Sequence, residues 1–254
     1  MNIISWNVNG VRSVFGKGFL DYVQKKSPDV ILLQEVRASL SQIPPEIRFM
    51  PGYSSYFSNS EIPGYSGVGL LTKIPPLDVR YGFGIPEFDR EGRVQVVEYE
   101  SCIFVNVYFP NGKRDEERLR FKMDFYAATS EFCEHLKQYN KPIVVSGDYN
   151  TAHKAIDLAR PAENIEVSGF LPIEREWMDQ FIQQGFVDTF RQFHSEPDQY
   201  TWWSQRSGAR GRNVGWRIDY HFISQDGISL VEDAWIEPEI TGSDHCPVGI
   251  RLKI

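Results

Sequence analysis

The chain has 254 residues, of which 41% are hydrophobic and 24% charged, with a formal net charge of -7 at pH 7. That length and balance predict one globular domain over residues 1–254 with a sizeable core, and they exclude a protein that coats nucleic acid by bulk positive charge, although a local basic surface stays open. Cys102, Cys133 and Cys246 are odd in number, widely spaced and without a CxxC pair, which excludes a disulfide framework and a cysteine zinc site and points to a reducing compartment.

The start, MNIISWNV, lacks the basic opening and long apolar region of a signal peptide, and no apolar run approaches a membrane span. A soluble intracellular protein is therefore expected, with no membrane partner. In chain order, β-rich apolar runs fall at 3–8, 30–33, 68–71, 103–108, 143–145, 218–223 and 248–252. Between them, Phe19, Tyr22 and Val23 give one helical face. Leu119, Met123, Tyr126 and Ala127 open a longer helix reaching about Leu136, and Trp177, Phe181 and Ile182 mark a third. The run PDVILLQE is apolar on both faces, as in a strand covered by other layers. No linker or fixed repeat divides the chain. A weaker echo exists: LLQE and PIVVSGDYN each end a buried strand in a carboxylate, which suits two packed sheets whose loops meet over one site.

Four polar motifs sit where apolar strands meet loops: SWNVNG from Ser5, LLQE from Leu32, GDYN from Gly147 and SDHCP from Ser243. Together they offer Asn7, Asn9, Glu35, Asp148, Asn150, Asp244 and His245, an oxygen-rich set with one imidazole that suits a hard divalent cation and a phosphate ester. Each motif alone has a plainer reading. Glu35 is a strand-end carboxylate, in solvent or on a metal. GDYN is an Asx-type turn or a site in which Gly147 permits close approach and two-residue alternation puts Asp148 and Asn150 on one side. SDHCP is a capped turn before Pro247 or a charged pair. No GxSxG motif supports a serine hydrolase. From Asp198 to Asp219 there is no intervening carboxylate, while Arg206, Arg210, Arg212 and Arg217 fall among Tyr200, Trp202, Trp203 and Trp216. Basic and aromatic interleaving of this kind holds phosphates and stacks or wedges at bases, although tryptophans are also common core anchors.

The motifs SWNVNGVR, PDVILLQE, GYSGVGLLTK, VYFPNG, GDYNTAHKAIDL, SGFLPIEREWMD, YTWWS, NVGWRIDY and SDHCP, in this order and across nearly the whole chain, resemble those of exonuclease III type apurinic/apyrimidinic (AP) endonucleases of the endonuclease/exonuclease/phosphatase superfamily. The resemblance implies an α/β fold, a four-layered sandwich of two packed mixed sheets flanked by helices. It also implies dependence on Mg²⁺, with Mn²⁺ as a substitute, and hydrolysis of the phosphodiester 5′ to an abasic site to leave a 3′-hydroxyl, with 3′-5′ exonuclease or 3′-end processing by the same chemistry.

By that resemblance Glu35 anchors the metal, with Asn7 and Asp244 beside it and Asp148, Asn150 and His245 contributing to the same centre. Asp148 orients or deprotonates the attacking water, Asn150 binds phosphate or water, and His245, oriented by Asp219, donates to the phosphate oxygen. Tyr108, otherwise a packing residue, becomes a phosphate-contacting or transition-state group supported by Asn111. Asn9 stands where many members carry aspartate and is expected to face the metal, its waters or the DNA. Arg12, Gly64 and Tyr65 resemble DNA-contacting positions. Trp202, Trp216 and Ile218 resemble the wall of a pocket for a flipped abasic sugar, with Trp202 where phenylalanine is frequent. Arg210 and Arg212 are expected to brace the duplex or insert into it, and Arg206 to bind DNA beside them. The implied partner is double-stranded DNA with abasic or 3′-blocked sites, met by a monomer in the cytoplasm or nucleoid, or in the nucleus of a eukaryote. Two alternatives stand beside this: another phosphoesterase of the superfamily acting on RNA, an inositol phosphate or a lipid, and a DNA-binding protein without catalysis.

Overall fold

A computed structural model describes residues 1–206 and 208–254. Its strands are β1 (Asn2–Asn7), β2 (Val30–Gln34), β3 (Ser54–Ser58), β4 (Val68–Thr72), β5 (Asp78–Tyr81), β6 (Val94–Glu98), β7 (Ile103–Tyr108), β8 (Ile143–Asp148), β9 (Phe186–Asp188), β10 (Trp202–Trp203), β11 (Gly215–Trp216), β12 (Asp219–Ser224), β13 (Val231–Ile236) and β14 (Val248–Leu252). One six-stranded sheet runs β13-β14-β1-β2-β4-β3 and the other β5-β6-β7-β8-β12-β9, with β10 and β11 as a short separate ribbon. Both sheets are mixed, since β1 pairs β2 and β7 pairs β8 in parallel while their other pairings are antiparallel.

Alternation along each strand builds the layers. Ile3, Val30, Leu32 and Leu70 of the first sheet share a core with Val97, Phe104, Val144 and Ile223 of the second, so these residues fill the space between the sheets. Their neighbours point outward. Ile4, Trp6, Ile31 and Leu33 pack with Phe19, Tyr22 and Val23 of the helix Phe19–Lys26. Val105, Val107, Val145 and Phe222 pack with Phe125 and Tyr126 of Glu116–Leu136 and with Trp177 and Phe181 of Pro172–Gln183. The result is the expected helix, sheet, sheet, helix sandwich. Cys102, Cys133 and Cys246 are buried free thiols, and no helix among the described residues is long and apolar enough to cross a membrane.

Several elements escape the apolar-run reading. Strands β3 and β5, SSYFS and DVRY, are sheet edges with polar, partly exposed residues. Strands β6 and β13 interrupt their apolar residues with Gln95, Glu232 and Asp233. The long helix also presents a different face from the one expected. Leu119 and Met123 are half-buried and Ala127 is exposed, whereas Lys122, Phe125, Tyr126, Thr129, Cys133 and Leu136 are buried. In the third helix Met178 takes the core place expected of Ile182, which is exposed.

The buried lysine explains the rotation. Lys122 and Glu174 are both wholly buried and form an ion pair of 2.7 Å. The other two ammonium protons go to the carbonyl of Asn150 and to Oγ1 of Thr151, each at 2.8 Å. Glu174 in turn accepts from Ser168 Oγ and the backbone N–H groups of Gly169 and Leu171. This pair therefore ties two helices to the chain on either side of Asn150. Lys122→Met leaves the Glu174 carboxylate buried without its cation, so the variant is expected to lose about 3–5 kcal/mol in urea denaturation. A loss below about 1 kcal/mol would show that the pair does not hold this corner.

Candidate active site

The polar motifs converge because the strands that carry them stop at one end of the sandwich. Tyr108, Asp148 and Asp219 are register partners across β7, β8 and β12, and Asn7 lies opposite Gln34 where β1 and β2 end, one residue before Glu35. Gly147 is required for this: a Cβ there would lie 1.8 Å from the Val107 carbonyl oxygen, so β8 approaches β7 through a position that only glycine fills.

Beyond the strand ends the chain turns sharply in matching fashion. Asn7 Oδ1 accepts the N–H of Asn9 at 2.9 Å, and Asp148 Oδ1 accepts the N–H of Asn150 at 2.8 Å. Asn9, Glu35, Arg37 and Asn150 all have positive φ, between 45° and 58°. Non-glycine residues held there cost on the order of 1 kcal/mol each and cluster at functional sites. GDYN is thus an Asx turn, and it is the turn, not two-residue alternation along a strand, that brings Asn150 beside Asp148.

Tyr108, Asp148, Asn150 and His245 line a cleft of about 210 Å³ together with Glu35, Asp244, Asn9, Asn111, Trp202, Trp216 and Ile218. That is smaller than the roughly 300–1,000 Å³ of sites for drug-sized ligands. Asn7 and Asp219 stand immediately behind. Asn7 Nδ2 donates to Asp148 Oδ2 at 2.9 Å, and His245 Nδ1 lies 2.8 Å from Asp219 Oδ2, with Nε2 3.9 Å from Asp148 Oδ2. Asp244, in a bend, and His245, the residue after it, both reach the cleft. Asp244 accepts from Asn9 Nδ2 at 2.7 Å and from Trp202 Nε1 at 3.0 Å.

Charge fixes the protonation of this group. Burial disfavours the His245 imidazolium, but Asp219 and Asp148 outweigh it and push the imidazole up to about 10. Asp148 is only 1% exposed; burial raises its carboxyl to about 7, with His245 pulling the other way and Asp219 adding to the rise. Burial, with Glu35 and Asp148 near, raises the Tyr108 phenol well above its ordinary value, so it is a proton donor. Asp244, although partly buried, is lowered by His245 and by its bonds from Trp202 and Asn9.

The donor chemistry fits a metal ion. Glu35 and Asp244 present carboxylates to the cleft, and Asp219 Oδ1 is a buried oxygen without a hydrogen-bond partner. Asp148, Asp219 and His245 each place an atom within 4.8 Å of the others, close enough to share a cation. The same closeness makes the imidazolium itself a cation that both carboxylates share. Glu35 is joined by Arg37. Asn150 Oδ1 already accepts from Asn111 Nδ2 at 2.9 Å, and Asn150 Nδ2 donates to the Phe109 carbonyl, so it stands as a buttress of Asp148 more than as an open metal donor.

Other expected residues lie outside the cleft. Arg12, Gly64, Tyr65, Arg206 and Arg212 are exposed, and Tyr65 is tied through its hydroxyl to Arg93 and Arg118. Arg210 departs from the expectation of an arm for DNA. Its guanidinium lies 4.5 Å over the Trp203 ring and donates to the carbonyls of Ser243, Pro238 and Ile240, so it clamps the SDHCP segment from behind. Arg217 adds nothing to a basic surface, being buried between Asp157 and Asp188. Arg37, Lys113 and Gly169 line the cleft without having been singled out; Arg37 stands two residues from Glu35, Lys113 two from Asn111, and Gly169 lies within SGFLP.

Known proteins share both fold and sequence with this chain. It is 42% identical over 260 residues to an exodeoxyribonuclease of Bacillus subtilis (strain 168), covering 100% of both. It is 40% identical over 262 residues to a DNA-(apurinic or apyrimidinic site) endonuclease of Dictyostelium discoideum, covering 100% of this chain and 71% of that protein. The structure of a 3′-5′ exonuclease (NExo) from Neisseria meningitidis matches with a TM-score of 0.92 at 27% identity, covering 100% of both chains. The model of the Endonuclease/Exonuclease/phosphatase family matches residues 4–245, and the chain belongs to that family.

Proposed function

We propose that this protein is a metal-dependent nuclease of DNA repair that hydrolyses the phosphodiester 5′ to an abasic site, leaving a 3′-hydroxyl and a 5′-deoxyribose phosphate, and that processes 3′ ends by the same chemistry. The observation that carries the reading is the buried Asp148 carboxylate, set between the Asn7 amide and the His245 imidazolium in a cleft walled by Trp202 and Trp216. The names of its relatives, exodeoxyribonuclease and abasic-site endonuclease, support the same substrate.

A phosphodiester resists attack because it is anionic, so the site must supply positive charge and proton donors at the phosphate and a base at the water. Asp148, with a carboxyl near neutrality, takes the proton of a water aligned with the phosphorus. His245 donates from Nε2 to a non-bridging oxygen, its Nδ1 proton held by Asp219. Tyr108 offers a phenol proton from the end of the neighbouring strand, and Asn150 and Asn111 fix the turn beside it. Glu35, with Asp244 and Asn7 nearby, would hold Mg²⁺ or Mn²⁺, which supplies neutralisation of phosphate charge and support for the leaving oxygen. Trp202, Trp216 and Ile218 form an apolar wall that accepts a sugar without a base, the nucleotide that is cheapest to extrude from a duplex. Arg12, Tyr65, Arg206 and Arg212 are exposed, which supports their contact with phosphates of the duplex.

A labelled duplex with one abasic-site analogue is the direct test. The protein is expected to cut once, 5′ to the lesion, with Mg²⁺ and not with EDTA, and Asp148→Asn to lower the rate by at least about 10³-fold while binding the duplex. Equal cutting of intact DNA, or turnover by Asp148→Asn at the wild-type rate, would refute the assignment. The pH profile gives a second test. Incision should rise as Asp148 ionises and fall as His245 loses its proton. Asp219 raises the His245 value, so Asp219→Asn should let the proton go at lower pH and move the alkaline limb of kcat/KM downward. An unmoved limb would mean that His245 is not the acid.

A further inference from the structure

One charged group of the cleft takes no part in the steps above. Lys113 lies in the loop after β7, and its ammonium sits 5.3 Å from the Trp202 ring centre and 5.1 Å from that of Trp216, two indoles inclined at 81°. The neighbouring cations are committed, Arg37 to Glu35 and His245 to Asp219. Among the described residues the Lys113 ammonium has the two rings and no carboxylate or carbonyl as partner. Lys113 is exposed, so an anion entering the cleft can reach its ammonium.

The backbone of Lys113 is tied to the reacting end of the cleft. Asn111 Oδ1 accepts the N–H of Lys113 at 2.9 Å, Asn111 Nδ2 donates to Asn150 Oδ1 at 2.9 Å, and Asn150 N–H donates to Asp148 Oδ1 at 2.8 Å. Gly112 packs so closely that a Cβ would meet Ser168 Oγ at 2.6 Å. Trp202 is held by Asp244. A single cation at a set distance attracts a group in proportion to the charge that group carries. An internal phosphodiester carries one negative charge, whereas a terminal phosphate monoester carries about -1.5 to -2 at pH 7.

We propose that Lys113 is a specificity-determining residue that recognises the 3′-terminal phosphate of a DNA end and directs this site toward its removal. The inference rests on the nuclease reading above. In the reaction, water adds to phosphorus, the P–O3′ bond breaks and O3′ takes up a proton, giving a 3′-hydroxyl end and inorganic phosphate. The experiment compares 3′-phosphate release with abasic-site incision for wild type, Lys113→Gln and Lys113→Arg, all in Mg²⁺. Lys113→Gln is expected to lower kcat/KM for phosphate release about tenfold more than for incision, with Lys113→Arg restoring most of it. Equal losses on the two substrates, no loss on either, or a wild type that incises abasic DNA and releases no phosphate would each overturn the inference; the last leaves the abasic-site reading intact. A wild type that releases phosphate and fails to incise would remove that reading, and the inference then stands if Lys113→Gln lowers kcat/KM for phosphate release about tenfold with Lys113→Arg restoring most of it, and falls if it does not.

Discussion

The site depends on one imidazolium. Asp148 and Asp219 are paired residues of adjacent strands, both buried, and two carboxylates so placed repel each other in a region that water does not screen. His245 lies against both, through Nδ1 to Asp219 and with Nε2 facing Asp148. Its positive charge lets the acids share a corner of the fold, and their charge keeps it protonated. The chemistry and the packing of this corner are the same interaction seen from two sides.

The rest of the architecture reads as support for that arrangement. Trp6 donates to the His245 carbonyl, Ser243 bonds the Asn7 carbonyl, and Arg210 clamps Ser243 from outside. From the other side Lys122 and Glu174 hold the carbonyl of Asn150. Each sheet ends in the same device, an Asx turn from Asn7 to Asn9 and from Asp148 to Asn150, and the Asn7 amide joins the two. Strained, positive-φ residues at these turns persist because hydrogen bonds on both flanks determine them. A site built between rigid strand ends keeps Asp148 and His245 in register without waiting for a ligand to order them.

Much of this was legible in the sequence, because strand-end motifs are local. Asn7, Glu35 and Asp148 stand where apolar runs stop and His245 just before one starts, and burial of those runs alone brings their ends together. The internal echo was also visible, although its structural form joins SWNVNG to GDYN more closely than LLQE to GDYN. What stayed hidden were side chains whose roles are set by distant partners. Lys122 looks like a surface residue until Glu174 is placed against it. Arg210 and Arg217 look like a basic surface until the carbonyls of the SDHCP segment and the carboxylates of Asp157 and Asp188 claim them. Edge strands such as β3 and β5 carry polar residues and give no apolar signal.

The protonation of His245 is the property to measure, since both the burial of the two acids and the proposed donation to phosphate require it. Nitrogen-15 NMR of the imidazole in the metal-free protein reads it without any assay of turnover. Both ring nitrogens are expected to carry protons at pH 8, consistent with a value raised to about 10, and Asp219→Asn is expected to give a neutral ring at the same pH. A neutral His245 ring in the wild type at pH 7 would contradict this expectation.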